Sequence, residues 1–280
     1  MKYICTILAV IIGLSSQAQS GLVYDKKFTE CEDQWVAFSI TKDSTYPYGF
    51  IYIDETAGLT FDLAGFFTIG ADGKFSPKKI DSASMKYRLE PNDVKIAIIP
   101  ATRFIELKVD AVPDWLAIYK TTNDSVARMV RWGYYYNHWQ QSAKALTYLE
   151  KAYRLKPDQQ GLAFELSYAY NALGQFGKAI TVLEEAVKRT PADCLLYKEL
   201  SFAELHLDQT EKAASTCKKG IAACEDKGMK AEIAYNMAYH YFKKSDKDNF
   251  TSWATETKKW ATADDQFNKN INWMGGELKK

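Results

Sequence analysis

The sequence places few of its reactive residues at the spacings that acid–base, nucleophilic or metal chemistry needs. The three histidines, His138, His206 and His240, have no second ligand at metal-binding spacing, and no H-E-x-x-H or C-x-x-C pair occurs. The Gly-Lys pair at 73–74 is followed by Phe75, which cannot supply the metal-binding hydroxyl of a phosphate-binding loop. No G-x-S-x-G nucleophile motif occurs. We therefore expect no catalytic residue, no metal site, no cofactor and no enzymatic activity.

A set of aromatic residues near the N-terminus offers an alternative function. Trp35, Tyr46, Tyr48, Phe50 and Tyr52 could form a peptide- or glycan-binding face, since alternation along a strand puts Tyr48, Phe50 and Tyr52 on one side of a sheet. The same alternation is typical of the buried side of a sheet. We keep both interpretations, and with the first the hypothesis that the N-terminal domain is a ligand-binding module or an enzyme.

Composition argues for a globular chain with an ordinary charge balance. The 280 residues carry a formal net charge of +1, 47% are hydrophobic and 14% are aromatic. Nucleic acids and anionic membranes select a basic surface, so the near-zero charge argues against both as partners.

The first residues resemble an export signal. Lys2 precedes an apolar run from Ile4 to Leu14, which is shorter than a membrane-spanning helix, and small residues follow up to Ala18. We predict a signal peptide over residues 1–18, an N-terminal anchor being the alternative. No other run is long enough to span a membrane, so the mature chain is expected to be periplasmic or secreted.

The chain changes character near residue 120. Residues 19–120 are rich in alternating β-formers and turn residues, which predicts a small antiparallel β-rich domain with one or two covering helices. The strands are predicted at Trp35–Ser39, Gly49–Ile53, Leu59–Leu63, Phe66–Ile69, Tyr87–Leu89 and Val94–Ile98. Residues 121–260 have helical spacing, and residues 261–280 are expected to form a capping segment, so the fold class is α+β.

An internal repeat organises the helical part. Trp132–Pro157 aligns without a gap to Leu166–Pro191, 34 residues later, and Leu200–Gly220 continues the period. A fourth, degenerate copy begins at Met237 after about three extra residues. This pattern of small and aromatic residues resembles the tetratricopeptide repeat (TPR) family, in three to four copies. The leader resembles those of exported proteins of the Bacteroidota.

The resemblance implies a concave groove lined by the first helix of each pair. Its expected lining comprises Val130, Tyr134, Asn137, His138, Phe164, Tyr168, Asn171, Lys198, Phe202, His206, Tyr235 and Tyr239. Such an aromatic wall suits a helix or an extended peptide. The alternative is that the N-terminal domain or the C-terminal tail of the same chain fills the groove. The resemblance thus implies an exported scaffold for protein–protein or protein–peptide contacts.

The same resemblance suggests a disulfide. The two helices of a TPR pair run antiparallel, so Cys194 at the start of one and Cys224 at the end of the next should lie side by side. Two unpaired, buried thiols are the alternative.

Overall fold

The computed structural model describes residues 21–79, 85–120 and 125–279, so the predicted signal peptide lies outside the described residues. The chain forms two compact units that divide between Arg128 and Met129. Among the described residues, no helix combines the length and apolarity that crossing a membrane would need.

The first unit is built on an antiparallel sheet. Its strands are β1 (Gln34–Ala37), β2 (Tyr46–Asp54), β3 (Gly58–Ile69), β4 (Phe75–Lys79), β5 (Met85–Arg88) and β6 (Ala97–Ile98). The order is β4-β3-β2-β1-β6, and β5 pairs with β3 beside β4. The predicted antiparallel β-rich fold is confirmed.

Strand β3 differs from the prediction because it runs unbroken through the segment that was expected to separate two strands. Tyr48 pairs with Gly65 while the next residue, Gly49, pairs with Leu63, so Ala64 is an extra residue on β3. This is a β-bulge, which bends a strand without ending it. Gly65 has a φ of 156°, where glycine meets no steric penalty. One bent strand can therefore pair with β5 along its first half and β4 along its second.

The aromatic face of β2 belongs to the core of this unit, and Ile51 and Ile53 on the opposite face are buried too. Tyr48, Phe50 and Tyr52 are fully buried. The helix α1 (Phe104–Leu107) and the 3-10 helix Asp114–Lys120 contribute to the cluster that covers them, together with Trp35. The interpretation of these rings as an exposed ligand-binding face is wrong, because burial against the helical segments leaves no surface for a ligand.

The second unit is a series of helices joined by short turns. They are α2 (Ser125–His138), α3 (Ser142–Leu155), α4 (Leu162–Ala172), α5 (Phe176–Arg189), α6 (Cys194–His206), α7 (Thr210–Ala223), α8 (Lys227–Lys243), α9 (Lys247–Trp260) and α10 (Gln266–Glu277). We call α2, α4, α6, α8 and α10 the first helices and the others the second helices. Over residues 125–279, four helix pairs and one further helix follow one another.

The turns inside the pairs preserve the repeat. A residue with a positive φ, between 55° and 69°, lies two residues after the end of each of the first four first helices. These residues are Gln140, Gly174, Asp208 and Ser245. A residue in the left-handed region is a common way to end a helix. These positions are separated by 34, 34 and 37 residues, so the predicted insertion before the fourth copy is present. It lies in α8, which has 17 residues where α6 has 13.

Small residues let the paired helices approach each other. A Cβ added to Gly133 would lie 2.3 Å from the side chain of Leu149 on the facing helix. Ala145, Ala179 and Ala213, one in each of α3, α5 and α7, are fully buried. Close helix contacts require such residues, since interaxial distance is set by the side chains at the crossing.

Cys194 and Cys224 form a disulfide, with Cα atoms 5.2 Å apart. The bond joins the first residue of α6 to the residue after α7, so the two helices of this pair are antiparallel. Cys31 and Cys217 are buried and take no part in this disulfide. The predicted pairing is thus present in the structure.

The last helix, α10, packs one of its faces against the hydrophobic core of the array and leaves another face exposed. Ile271 and Met274 are buried in a cluster with Phe250 and Trp253. Trp273, on the same helix, is exposed. The segment therefore caps the core through Ile271 and Met274, and Trp273 lies outside that core.

Candidate functional site

A row of exposed aromatic side chains follows the first helices. Its members are Tyr134, Tyr168, Phe202, Tyr239 and Trp273, with exposed fractions of 47%, 39%, 37%, 46% and 61%. Each comes from a different first helix, and they are separated by 34, 34, 37 and 34 residues. We call this set the aromatic row. The repeat that builds the helical core therefore also places one large exposed ring on every first helix.

Buried hydrogen bonds join neighbouring first helices beside this row. Asn137 Nδ2 donates to the backbone oxygen and to the carboxylate Oε2 of Glu165, both at 2.9 Å. One repeat later, Asn171 Nδ2 donates to the backbone oxygen of Glu199 at 3.1 Å and to its Oε2 at 2.9 Å. The same pair of bonds recurs because both residues recur after 34 positions. These bonds fix the spacing of α2, α4 and α6.

Two clefts open between these helices. The first has a volume of about 280 Å³ and is lined by Tyr134, Asn137, His138, Gln140, Phe164, Glu165 and Tyr168. The second has a volume of about 360 Å³ and is lined by Tyr168, Asn171, Ala172, Lys198, Glu199, Phe202, Glu232 and Asn236. Tyr168 belongs to both clefts, so they are neighbours along the row. Each is large enough for a side chain or two and too small for a folded partner.

The carboxylates of the clefts are shielded from water. Burial raises the pKa of Glu165, with the nearby Glu199 carboxylate acting in the same direction and the Asn137 hydrogen bond opposing it. Burial likewise raises the pKa of Glu199, against the Asn171 hydrogen bond and the charge of Lys198. Both side chains therefore keep their protons to a higher pH than an exposed glutamate does.

The predicted groove residues divide into three groups. Tyr134, His138, Tyr168, Phe202, His206 and Tyr239 are exposed; Val130, Phe164, Lys198 and Tyr235 are half-buried; Asn137 and Asn171 are buried. The His206 ring stacks on Phe176 at 4.6 Å between centroids, and its Nδ1 lies 2.8 Å from the Phe202 carbonyl. The two asparagines thus act beneath the surface, while the rings form it.

The C-terminal helix covers one of the predicted groove residues. Phe267 lies 5.0 Å from Tyr235 between ring centroids, and Asn270 Nδ2 donates to the Tyr235 hydroxyl at 3.2 Å. The alternative in which the chain fills its own groove therefore applies to Tyr235. It does not apply to the aromatic row, whose five rings are exposed.

Trp273 and Glu232 belong to this surface and were not among the predicted groove residues. Trp273 lies 34 residues after Tyr239, so extending the period by one step would have found it. Glu232 lines the second cleft from α8, where the three-residue insertion hides the alignment. Among the described residues, no group of three or more His, Cys, Asp or Glu side chains could hold a metal ion.

Residues 140–201 match the family model of the tetratricopeptide repeat. This segment runs from the turn between α2 and α3 into α6, and the helix repeat continues on both sides of it. Repeat arrays of this kind are protein-interaction scaffolds. The predicted repeat identity is confirmed.

Solved structures with a similar helical fold are tetratricopeptide repeat proteins and MamA proteins. A thermophilic tetratricopeptide repeat protein of Thermus thermophilus is 19% identical, with a TM-score of 0.47 over 57% of this chain and 85% of that chain. MamA of Desulfovibrio magneticus is 17% identical, with a TM-score of 0.43 over 59% and 82%. A tetratricopeptide repeat protein of Parabacteroides merdae is 10% identical, with a TM-score of 0.43 over 60% and 62%. No curated protein matches the sequence.

Proposed function

We propose that this protein is an exported, non-enzymatic scaffold that binds a segment of a partner protein along the aromatic row. The observation that carries the proposal is the recurrence of one exposed ring on each first helix, above two clefts that share Tyr168. Residues 121–260 form the binding array in this proposal. Residues 19–120 support the array or offer a second contact surface, and residues 261–280 close its end.

The chemistry of the row suits a peptide. Tyrosine and tryptophan contribute large contact areas at a small cost in side-chain entropy, and binding energy concentrates on such residues. Clefts of about 280 Å³ and 360 Å³ accept single side chains of an extended or helical segment. Exposed apolar residues that form a continuous row, rather than scattered positions, are typical of an interaction surface.

Double substitution of the row is expected to weaken partner binding without unfolding the array. Tyr134→Ala with Tyr168→Ala removes two exposed rings, so we expect at least about a tenfold loss of affinity, since each hot-spot residue contributes about 2 kcal/mol or more. The measurement is crosslinking and capture of partners from native envelopes, followed by affinity measurement with the recovered partner.

Tyr87→Ala is the matched control for this experiment. Tyr87 is an equally exposed tyrosine on β5 of the first unit, outside the aromatic row. The control variant should capture the same partner as the unmodified protein. If the double variant keeps full affinity, the row is not a binding surface. If it loses stability and no partner is recovered, the chain itself fills the groove.

Export is the second part of the proposal. It rests on the signal-like residues 1–18 and on the Cys194–Cys224 disulfide, since such bonds persist in oxidising compartments. We expect the mature chain to begin at Gln19, which mass spectrometry of protein from the native host measures. An intact Met1, or a lipid on any cysteine, would contradict this expectation.

A further inference from the structure

Buried asparagines hold a carboxylate in the wall of each cleft. Both hydrogens of Asn137 Nδ2 are used on Glu165, and both hydrogens of Asn171 Nδ2 are used on Glu199. The opposite atoms, Asn137 Oδ1 and Asn171 Oδ1, are buried without a hydrogen-bond partner. These oxygens are too buried to meet an occupant, but the carboxylates of Glu165 and Glu199 line the clefts and accept hydrogen bonds, so an occupant that donates N–H groups is favoured.

The charge of the clefts selects among such donors. Glu165 is the only charged side chain of the first cleft among the described residues, apart from any charge on His138. In the second cleft Lys198 Nζ lies 3.3 Å from Glu232 and 4.0 Å from Glu199, so its charge is already balanced. Each cleft therefore has one carboxylate in excess over its cations. A cationic donor complements both.

The rims add a second attraction for cations. Tyr134, Phe164 and Tyr168 surround the first cleft, and Tyr168 with Phe202 flank the second. Aromatic faces attract Lys and Arg, most strongly where water is partly excluded. A carboxylate at the base with rings at the rim is a site for a basic side chain.

We propose that the two clefts are a pair of subsites for two basic side chains, three residues apart, in an extended peptide. This inference rests on the proposed function. Its spacing follows from the direct contact of neighbouring first helices, shown by the Asn171–Glu199 bonds. Helices in contact lie about 8–10 Å apart. An extended chain in the polyproline II conformation advances about 3.1 Å per residue and completes a turn every three residues, so side chains three apart point to the same face. Arginine meets the acceptors best, because its guanidinium carries several donors in one plane.

The test uses fluorescent decapeptides of Ala and Ser that differ at positions 4 and 7. One carries Arg at both positions, one carries citrulline and one carries Glu. Citrulline keeps N–H donors and nearly the shape of arginine but has no charge. With the mature full-length protein, fluorescence polarisation should show that the Arg peptide binds at least about tenfold more tightly than the citrulline peptide, and the Glu peptide should bind most weakly. Moving the second Arg to position 5 should lose most of that advantage.

Variants of the two carboxylates connect the binding to the clefts. Glu165→Gln with Glu199→Gln keeps an oxygen that can accept from each asparagine but removes the charges, so the Arg peptide should fall to the affinity of the citrulline peptide. Glu150→Gln is the matched control. Glu150 is a glutamate outside both clefts that accepts a hydrogen bond from Tyr170, and its variant should bind the Arg peptide as the unmodified protein does.

Each remaining outcome overturns the inference. Equal binding of the Arg and citrulline peptides would mean that charge is not recognised, while leaving the proposed peptide-binding function intact. Binding of no peptide at all would overturn the subsites, and the Tyr134 and Tyr168 variants would then decide the proposed function separately. Displacement of the Arg peptide by an equal concentration of spermidine would assign the clefts to a free polyamine. Self-association that Tyr134→Ala with Tyr168→Ala reverses would assign the row to a second copy of the chain.

Discussion

Removing the Cys194–Cys224 disulfide should lower the free energy of unfolding of the helical unit by about 3–4 kcal/mol. The bond closes a loop with a sequence separation of 30 residues, and closing such a loop restricts the unfolded chain by about this amount in the chain-entropy description. The Cys194→Ala, Cys224→Ala double variant tests it in urea, with far-ultraviolet circular dichroism reporting the loss of helix. The midpoint should move to lower urea concentration.

Two controls separate the bond from the loss of sulfur atoms. Cys217→Ala removes a free, buried cysteine from the same helix pair. The difference in free energy of unfolding between this variant and the unmodified protein should be the same with and without reductant. The unmodified protein should lose about as much stability in reductant as the double variant loses without it. Equal midpoints with and without reductant in the unmodified protein would show that the bond does not stabilise the unit.

Phe50→Ala should destabilise the first unit by about 3–5 kcal/mol. Phe50 is fully buried, and its ring lies 5.3 Å from that of Trp35 and 5.9 Å from that of Trp115 between centroids. Truncating a buried phenylalanine removes apolar contacts and leaves a cavity, which together cost this much. Tryptophan fluorescence during urea unfolding measures the change, because both neighbouring rings report on this core.

The same variant decides between the two interpretations of the aromatic strand. If Phe50 were part of an exposed ligand face, its truncation would leave the unfolding midpoint nearly unchanged. Tyr87→Ala, which changes an exposed tyrosine in the same sheet, supplies that reference. It should change the free energy of unfolding by less than about 0.5 kcal/mol. A Phe50→Ala midpoint equal to that of Tyr87→Ala would contradict the buried position.

The repeat was predictable because its signals are local. Small residues such as Gly133 and Ala179 recur at fixed steps wherever two helices cross, and the turn positions recur with them. A structure in which each pair contacts mainly its neighbours needs no long-range information to specify it. The position of the Cys194–Cys224 bond follows from the same register once the helices of a pair are known to be antiparallel.

The sheet was predicted less completely because strand pairing is long-range. The strands Leu59–Leu63 and Phe66–Ile69 merge into β3, since the bulge at Ala64 is stabilised by pairing with β2 and not by the local sequence. The segment Phe75–Lys79 was not predicted as a strand. It becomes β4 only because the second half of β3 leaves an edge for it. Alternation alone also could not say that both sides of β2 are buried, with Ile51 and Ile53 opposite the aromatic face.

The sequence by itself determined the α+β class, the repeat and its phase, and the set of rings at the first-helix positions, because these depend on neighbours within one or two helices. Only the tertiary structure decided which side chains of that set are exposed and which are buried. Asn137 and Asn171 turn inward to Glu165 and Glu199, and α10 covers Tyr235 while leaving Trp273 exposed. Burial and hydrogen bonding are set by contacts between helices that lie about 28 to 35 residues apart in the chain, where periodicity gives position but not environment.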